Sequence, residues 1–157
     1  MTRQRGFSLI ELLLVLAIVG LLSQVALPRY DAHVQRVHRT QVQHQLLVLS
    51  QGLAQQHSLS GSFARSPQAS HDDIDDAWLR AQGLDRWPVQ ASDAAQRYRI
   101  RFLDGAPQAQ QHTLLAEPMG PQSSDGCGVL MLDQRQVRGA GGVLDSRAEL
   151  TRRCWSR

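Results

Sequence analysis

The first third of the chain changes from an unbroken apolar run to an amphipathic pattern. Residues 7–27, FSLIELLLVLAIVGLLSQVAL, are almost entirely apolar. A helix of that length, with a rise of about 1.5 Å per residue, crosses the roughly 30 Å hydrocarbon core of a bilayer. The pattern therefore predicts one membrane-spanning helix near the N-terminus.

Residues 29–57 are polar and rich in glutamine, but apolar residues recur among them every three to five positions. This spacing is typical of an amphipathic helix that packs one face against a sheet. The apolar helix is expected to continue into this segment past Pro28, with a kink where proline removes a backbone hydrogen bond. The predicted apolar stripe consists of Val34, Val37, Val42, Leu46, Leu49 and Leu53.

The second half of the chain changes to the period of β-strands. Residues 97–103, RYRIRFL, alternate strictly between arginine and apolar side chains, which predicts a half-buried strand. Shorter strands are predicted at 112–116 and 128–132, with a weaker one at 136–138. One long helix followed by a loop and an antiparallel meander predicts an α+β fold, in which the helix covers one face of a small sheet.

Length and composition limit the size of the core. The chain has 157 residues, of which 5% are aromatic. With the apolar segment set aside, about 125 residues remain, enough for one modest and mainly aliphatic core. The net charge is +3, and all 17 basic residues are arginine.

The apolar run has several ordinary explanations. It could be a secretory signal peptide cut near Ala26, a plain signal anchor or, against its length, a buried core helix. Arg3 and Arg5 precede it, which predicts a cytoplasmic N-terminus. Glu11 separates these explanations, because an ionisable group inside hydrocarbon costs roughly 2.5–3.5 kcal/mol. Neither a signal peptide nor a passive anchor gains from that cost, so Glu11 is a candidate functional residue.

Residues 5–12, RGFSLIEL, resemble the prepilin motif of type IV pilins and type II secretion pseudopilins. The resemblance implies that a membrane peptidase cuts between Gly6 and Phe7, and that Phe7 becomes the N-methylated terminus of the mature protein. It also implies that Glu11 neutralises the terminal amine of a neighbouring subunit in the filament core, where an unpaired charge is costly. Pro28 resembles the proline that kinks the helix in this family.

The same resemblance implies a three-part organisation: a cleaved leader at 1–6, a helix of the membrane and filament core at 7–30, and a soluble head at 31–157. Loss of the leader removes two arginines and lowers the side-chain charge from +3 to +1. The expected partners are other pilin subunits, the prepilin peptidase, the inner-membrane assembly platform and the membrane itself. The precursor is expected in the inner membrane with its head in the periplasm, before assembly into an extracellular pilus.

The two cysteines, Cys127 and Cys154, favour one disulfide if the head is exported and unpaired buried thiols if it is cytosolic. A second resemblance covers the C-terminal part of the chain. It consists of Glu117-Pro118, Gly120, the run DGCGVLMLD at 125–133, and the ending Cys154-Trp155. These residues resemble a minor pilin of the PilE-like subgroup, which implies that Cys127 and Cys154 close a disulfide-bounded C-terminal loop.

Two groups of candidate metal ligands have simpler explanations. Four acidic residues at 72, 73, 75 and 76 could bind calcium, but acidic side chains also favour the N-terminus of a helix, and the apolar spacing that follows is helical. The polar helix contains histidines at 33, 38, 44 and 57. Two neighbouring pairs, 33/38 and 38/44, are spaced by five and six, which does not suit a shared metal. We expect no metal, cofactor or catalytic set.

The predicted function is that of a structural minor subunit of a type IV pilus, without enzymatic activity, that supports pilus assembly, twitching motility or adhesion. One alternative is a type II secretion pseudopilin. Another is a minor pilin that binds DNA for uptake in natural competence, because arginines on one strand face and around the cysteines could contact phosphates. The candidate DNA contacts are Arg97, Arg99, Arg101, Arg135, Arg138, Arg152 and Arg153.

Overall fold

The computed structural model describes residues 8–64, 74–89 and 92–156, apart from the side chains of 25–28 and 93. The chain divides into two compact units, the first ending at Val37 and the second beginning at His38. The helices are α1 (Leu9–Ser60), α2 (Asp76–Ala81) and α3 (Glu149–Trp155), and the strands are β1 (Arg86–Trp87), β2 (Tyr98–Phe102), β3 (Thr113–Pro118), β4 (Leu130–Asp133) and β5 (Arg138–Gly139).

The first helix runs without interruption for 52 residues and passes through Pro28. In the second unit its apolar stripe is buried, as the spacing predicts, at Val42, Leu46, Leu49 and Leu53. Val37, which belongs to the first unit, is 40% exposed, so the buried stripe begins after it.

The strands form one antiparallel sheet in the order β1-β2-β3-β4-β5, which confirms the predicted meander. On its inner face Tyr98, Ile100 and Phe102 alternate into the core, as predicted, together with Leu114 and Leu132, which lie directly opposite one another. These side chains and the stripe of α1 form one hydrophobic cluster. The predicted α+β arrangement, with the helix covering one sheet face, is therefore confirmed within the second unit.

Two short elements were not expected. The edge strand β1 has only two residues, and α3 has seven, so neither shows a recognisable period in the sequence. The third predicted strand begins at Leu130 rather than 128, because Gly128 adopts a positive φ of 55° that extended strands do not use.

The acidic cluster is, where it is described, the start of a helix. Asp75 is the N-cap of α2, and its carboxylate accepts a hydrogen bond from the Trp78 backbone N–H at 2.7 Å. The Asp76 carboxylate accepts one from the Phe102 backbone N–H, also at 2.7 Å, and so fastens α2 to β2. Asp72 and Asp73 lie outside the described residues. Within the described residues no group of three or more His, Cys, Asp or Glu side chains could hold a metal ion.

Candidate functional site

Glu11 lies in the first turn of α1 and is exposed, in a segment where large apolar side chains are exposed as well. Leu9 is 77% exposed and Leu16 is 58% exposed, and the most apolar part of this helix has no buried residue. By length and composition this helix can cross a membrane. Its apolar surface has no partner within the described chain. The predicted cleavage residues, Gly6 and Phe7, lie outside the described residues.

The two cysteines form a disulfide, Cys127–Cys154, with Cα atoms 5.8 Å apart. It closes a segment of the chain with a sequence separation of 27, which we call the disulfide segment, residues 127–154. This segment contains β4, β5 and most of α3, so the bond encloses part of the core and not only a surface loop.

Both ends of the disulfide segment are also tied to α1 without covalent bonds. Arg39 forms an ion pair with the buried Asp125 at 3.4 Å and donates a hydrogen bond to the Cys127 Sγ. One helical turn later, the Gln43 side-chain amide donates a hydrogen bond to the Cys154 carbonyl at 2.9 Å. Sequence reasoning missed this clamp, because nothing in the local pattern distinguishes Arg39 from the other arginines of the helix.

Both oxygens of the Asp125 carboxylate accept hydrogen bonds from neighbouring residues. It accepts hydrogen bonds from the Tyr98 hydroxyl, the Gln122 amide and the Cys127 backbone N–H, at 3.2, 2.8 and 3.1 Å. Burial, followed by the charge of Asp125, raises the pKa of Tyr98 well above its ordinary value. Tyr98 therefore stays protonated and acts as a donor in this network, which connects β2 to the start of the disulfide segment.

A buried Ser50, His112 and Asp133 lie near one another but do not have the geometry of a catalytic triad. The Ser50 hydroxyl is 3.4 Å from His112 Nε2, and Ser50 also accepts a hydrogen bond from the Gln136 amide. In a triad the other imidazole nitrogen is held by the carboxylate. Here His112 Nδ1 has no hydrogen-bond partner, and Ser50 is 1% exposed. The arrangement is a buried polar cluster that joins α1 to the turn between β4 and β5.

The three arginines of the predicted strand differ in their environments. Arg101 is bound to Glu117 by two hydrogen bonds of 2.8 and 2.6 Å, and this contact raises the pKa of its guanidinium. Arg97 lies just before β2 and has one buried guanidinium nitrogen without a partner. Arg99 is exposed on β2, and no ion pair joins it to another described residue. The three arginines that the sequence places in one row therefore differ. Arg101 is neutralised by Glu117, Arg97 is partly buried and Arg99 is free.

Arg99 and Arg101 line a cleft on the outer face of the sheet, which we call the outer cleft, together with two further arginines. Arg86 lies directly opposite Arg99 across the β1–β2 pair, and Arg80 projects from α2. The outer cleft has a volume of about 570 Å³ and also contains Asp76 and Asp85, so its charges are partly compensated. Sequence reasoning missed Arg80 and Arg86, because the pairing of β1 with β2 is a non-local contact.

The C-terminal arginines surround α3 and β5. Arg138 lies over the ring of Trp155, with its guanidinium carbon 5.4 Å from the ring centroid. Arg152 and Arg153 are exposed on α3, and neither forms an ion pair with a described residue. Arg135 is 73% exposed at its side chain and pairs with Asp133 at 3.2 Å.

The sheet separates the two groups of predicted DNA contacts. Arg99 alternates with the buried residues of β2 and therefore lies on the outer face. Arg138 lies opposite Leu132, a core residue, and therefore lies on the inner face, at the edge of the sheet beside α3. The arginines that the sequence groups together form two surfaces and not one.

Comparison with protein-family models gives two matches. Residues 28–131, well over half of the chain, match the family described as type IV minor pilin ComP, DNA uptake sequence receptor. Residues 1–23 match the prokaryotic N-terminal methylation motif. The second match covers the glutamate and the cleavage residues that the sequence singled out.

Individual relatives match over shorter segments. A type IV major alpha-pilin of Moraxella bovis is 44% identical over 46 residues, which is 29% of each chain. The type IV major pilin protein PilE of Neisseria gonorrhoeae is 57% identical over 35 residues, 22% of this chain and 21% of that one. These matches span less than a third of either relative. A type IV pilin from Shewanella oneidensis has a similar structure, with a TM-score of 0.45 and 22% identity, covering 78% of this chain and 99% of that chain.

Proposed function

We propose that this chain, which belongs to the family of the type IV minor pilin ComP, DNA uptake sequence receptor, is a subunit of a type IV pilus. In this proposal a prepilin peptidase cuts between Gly6 and Phe7, and an inner-membrane platform moves the mature chain into the filament. The head then passes from the periplasm to the cell exterior, and the role of the protein is structural.

The observation that carries this proposal is the unpartnered apolar surface of the first part of α1. Exposing so many large apolar side chains to water is unfavourable by about 25 cal/mol for each Å². A membrane before assembly and the helices of other subunits after assembly would both cover this surface. An unpaired charge on Glu11 is costly both in the membrane and among packed helices. In the filament, the N-terminal amine of a neighbouring subunit would supply a partner.

The test is to express Glu11→Leu in a piliated host and to compare the membrane fraction with sheared filaments by immunoblot. We expect normal membrane insertion and a loss of the protein from the filament fraction. Ser23→Leu is a matched control, because it also replaces a polar residue in the apolar helix by leucine but removes no charge. Filaments that contain Glu11→Leu at the wild-type level would refute the role of Glu11 in assembly.

DNA binding is a second candidate function, and a specific feature favours it. Arg99, Arg138, Arg152 and Arg153 have no carboxylate partner among the described residues, and an uncompensated guanidinium is suited to a phosphate. The description of the matching family as a DNA uptake sequence receptor points in the same direction. Under this proposal the head contacts the DNA backbone with some of these arginines.

This candidate is tested with the full chain in detergent micelles and a short DNA duplex at several salt concentrations. We expect binding at about 50 mM salt that weakens steeply as salt increases, because counterions are released on binding. Arg99→Gln should weaken binding and reduce the salt slope by about one. Arg135→Gln is the control, because Asp133 already neutralises that guanidinium. No retention of DNA at the lowest salt concentration would remove this candidate.

A further inference from the structure

A second cleft, which we call the C-terminal cleft, lies beside α3 and has a volume of about 430 Å³. It is distinct from the outer cleft, because β5 and α3 form its walls and β1 and α2 do not contribute. It is lined by side chains that donate hydrogen bonds: Gln136, Arg138, Ser146, Thr151, Arg152, Trp155 and Ser156.

The charge of the C-terminal cleft is uncompensated. Arg138 and Arg152 contribute two guanidinium groups, and no described residue of the lining is acidic. In the outer cleft, by contrast, Asp76 and Asp85 offset the arginines. Two like charges that share one cavity repel each other, and an anion bound between them would remove that repulsion. The cleft therefore has the electrostatics of an anion site.

Arg138 is held in place before any ligand binds. Its guanidinium rests over the Trp155 ring, and the Trp155 indole N–H donates a hydrogen bond to the Gly139 carbonyl at 2.9 Å. The Arg138 backbone N–H donates to the Ser146 hydroxyl at 2.8 Å, which fixes the same strand from the other side. A side chain that is already ordered loses little conformational entropy when it binds, so this arginine is preorganised for a ligand.

Thr151 provides a second, independent observation. Its side chain is 2% exposed, and its hydroxyl is buried without a hydrogen-bond partner. An unsatisfied buried hydroxyl costs roughly 1–3 kcal/mol in proteins, so such groups are uncommon without a reason. The hydroxyl is enclosed in the ligand-free structure, but Thr151 lines the cleft and precedes Arg152 on α3. Rotation about its Cα–Cβ bond to another staggered rotamer would present the hydroxyl to a ligand oxygen bound by Arg152.

We propose that the C-terminal cleft binds a phosphate group, as the free anion or as a phosphate ester. A phosphate presents several acceptor oxygens in a tetrahedral arrangement, which matches guanidinium donors from two directions and hydroxyl donors between them. Arg138 and Arg152 balance its charge, and Thr151 donates its otherwise unused proton. This site shares Arg138 and Arg152 with the DNA-binding candidate, and it does not depend on the outer cleft or on the role of the chain in the filament.

The experiment uses the full chain in a detergent without phosphate, labelled with ¹⁵N, and inorganic phosphate as the probe at constant ionic strength. The indole N–H signal of Trp155, assigned with Trp155→Phe, reports on the cleft. We expect a saturable shift of this signal. Arg152→Gln should weaken phosphate binding by about tenfold or more, because it removes one of two charge-assisted contacts. Thr151→Val, which keeps the shape of the side chain, should weaken it by about threefold.

Arg153→Gln is the matched control, because Arg153 is adjacent, exposed and charged but does not line the cleft. It should change phosphate binding by less than about twofold. The proposal is overturned if the Trp155 signal shows no saturable shift with phosphate. It is also overturned if Arg153→Gln weakens binding as much as Arg152→Gln, since the effect would then be general surface charge.

The source of the phosphate is identified by competition. A short DNA duplex and vesicles of an anionic phospholipid are each added to the phosphate-saturated protein. Displacement by one of them identifies a nucleic-acid or a lipid phosphate, and displacement by neither identifies free phosphate as the ligand, each of which is consistent with a phosphate site. Filament incorporation of Arg152→Gln at the wild-type level would show that this site and the structural role are separate.

Discussion

His112 is enclosed between α1 and the β4–β5 hairpin, and this burial has a consequence for stability at acid pH. Desolvation lowers its pKa from 6.5 to about 4, although the charge of Asp133 acts in the opposite direction. The unfolded chain therefore binds a proton at higher pH than the folded chain does. The stabilisation is complete above pH 6.5 and is lost as the pH falls through about 4. Over that interval the loss amounts to roughly 3 kcal/mol.

The prediction for His112 is tested by urea unfolding of wild type and His112→Gln at pH 7 and pH 4.5. The wild type should lose more unfolding free energy between the two pH values than the variant does, because the variant lacks the titrating group. His44→Gln serves as the control, since His44 is exposed on α1. Equal pH dependence in wild type and His112→Gln would contradict the assignment.

Gly139 is required by a close approach of two backbone segments and not by its φ angle. A Cβ atom at this position would lie 2.4 Å from the Val143 carbonyl oxygen and 2.9 Å from the Leu144 Cα. Backbone atoms cannot move away cheaply, so Gly139→Ala should destabilise the protein by roughly 1–3 kcal/mol. Gly52→Ala is the matched control, because Gly52 lies in α1 with no atom within 4 Å of the added Cβ.

Gly52→Ala should instead stabilise the protein by roughly 0.5–1 kcal/mol, since alanine favours the helix. Thermal unfolding of the two variants measures both effects. A Gly139→Ala variant as stable as wild type would mean that the backbone of the turn after β5 does not lie this close to Gly139.

At the scale of elements, α1 and the disulfide segment are joined by the ion pair between Arg39 and Asp125. Their side chains are 15% and 4% exposed, so removal of one partner leaves a buried charge. We expect Arg39→Leu to cost about 3–5 kcal/mol of unfolding free energy. Asp125→Asn in the same chain should recover part of that cost, because the uncompensated carboxylate is then gone.

A double-mutant cycle on these two positions, measured by urea unfolding, gives the coupling energy. The single Asp125→Asn variant is the necessary third member, since it also weakens the bonds from Tyr98 and Gln122. If the two single effects simply add in the double variant, Arg39 and Asp125 do not act as a pair.

Elements in which one pattern repeats several times were predictable from the sequence, and elements fixed by non-local contacts were not. The apolar run, the stripe from Val42 to Leu53 and the alternation of β2 each repeat one pattern several times, so sequence alone indicates them. The strand β1 is recognisable only through its pairing with β2, and α3 is too short for a period. The arginines were predicted individually, but strand register decides which face each occupies.

The pairing of charges depends on distant residues as well. Arg101 and Arg99 have equivalent places in the sequence pattern, but Glu117 on β3 neutralises Arg101. The cysteine pair was predictable once the resemblance indicated export, while the clamp from Arg39 and Gln43 required the fold. Sequence therefore identified the residue types of the candidate surfaces, and the sheet topology determined which of them are free.

At the scale of the whole molecule, the disulfide decides how strongly the disulfide segment is held to the rest of the second unit. Closing a loop with a separation of 27 residues stabilises by roughly 3–4 kcal/mol through the entropy of the unfolded chain. The segment carries core residues of β4, such as Leu130 and Leu132, so loosening it exposes part of the shared core. We expect Cys127→Ser with Cys154→Ser, and the reduced wild type, to unfold at lower urea concentration.

The reduced protein should also be cleaved by trypsin first within the disulfide segment. This segment has exposed arginines at 135, 138, 147, 152 and 153. Limited proteolysis of oxidised and reduced protein, with the fragments identified by mass, measures this. Arg39 and Gln43 still bind the segment after reduction, so cleavage should be slower than in the doubly substituted chain that also carries Arg39→Leu. Complete protease resistance of the reduced protein would show that the non-covalent clamp and the core are sufficient, and that the disulfide contributes little to holding this segment.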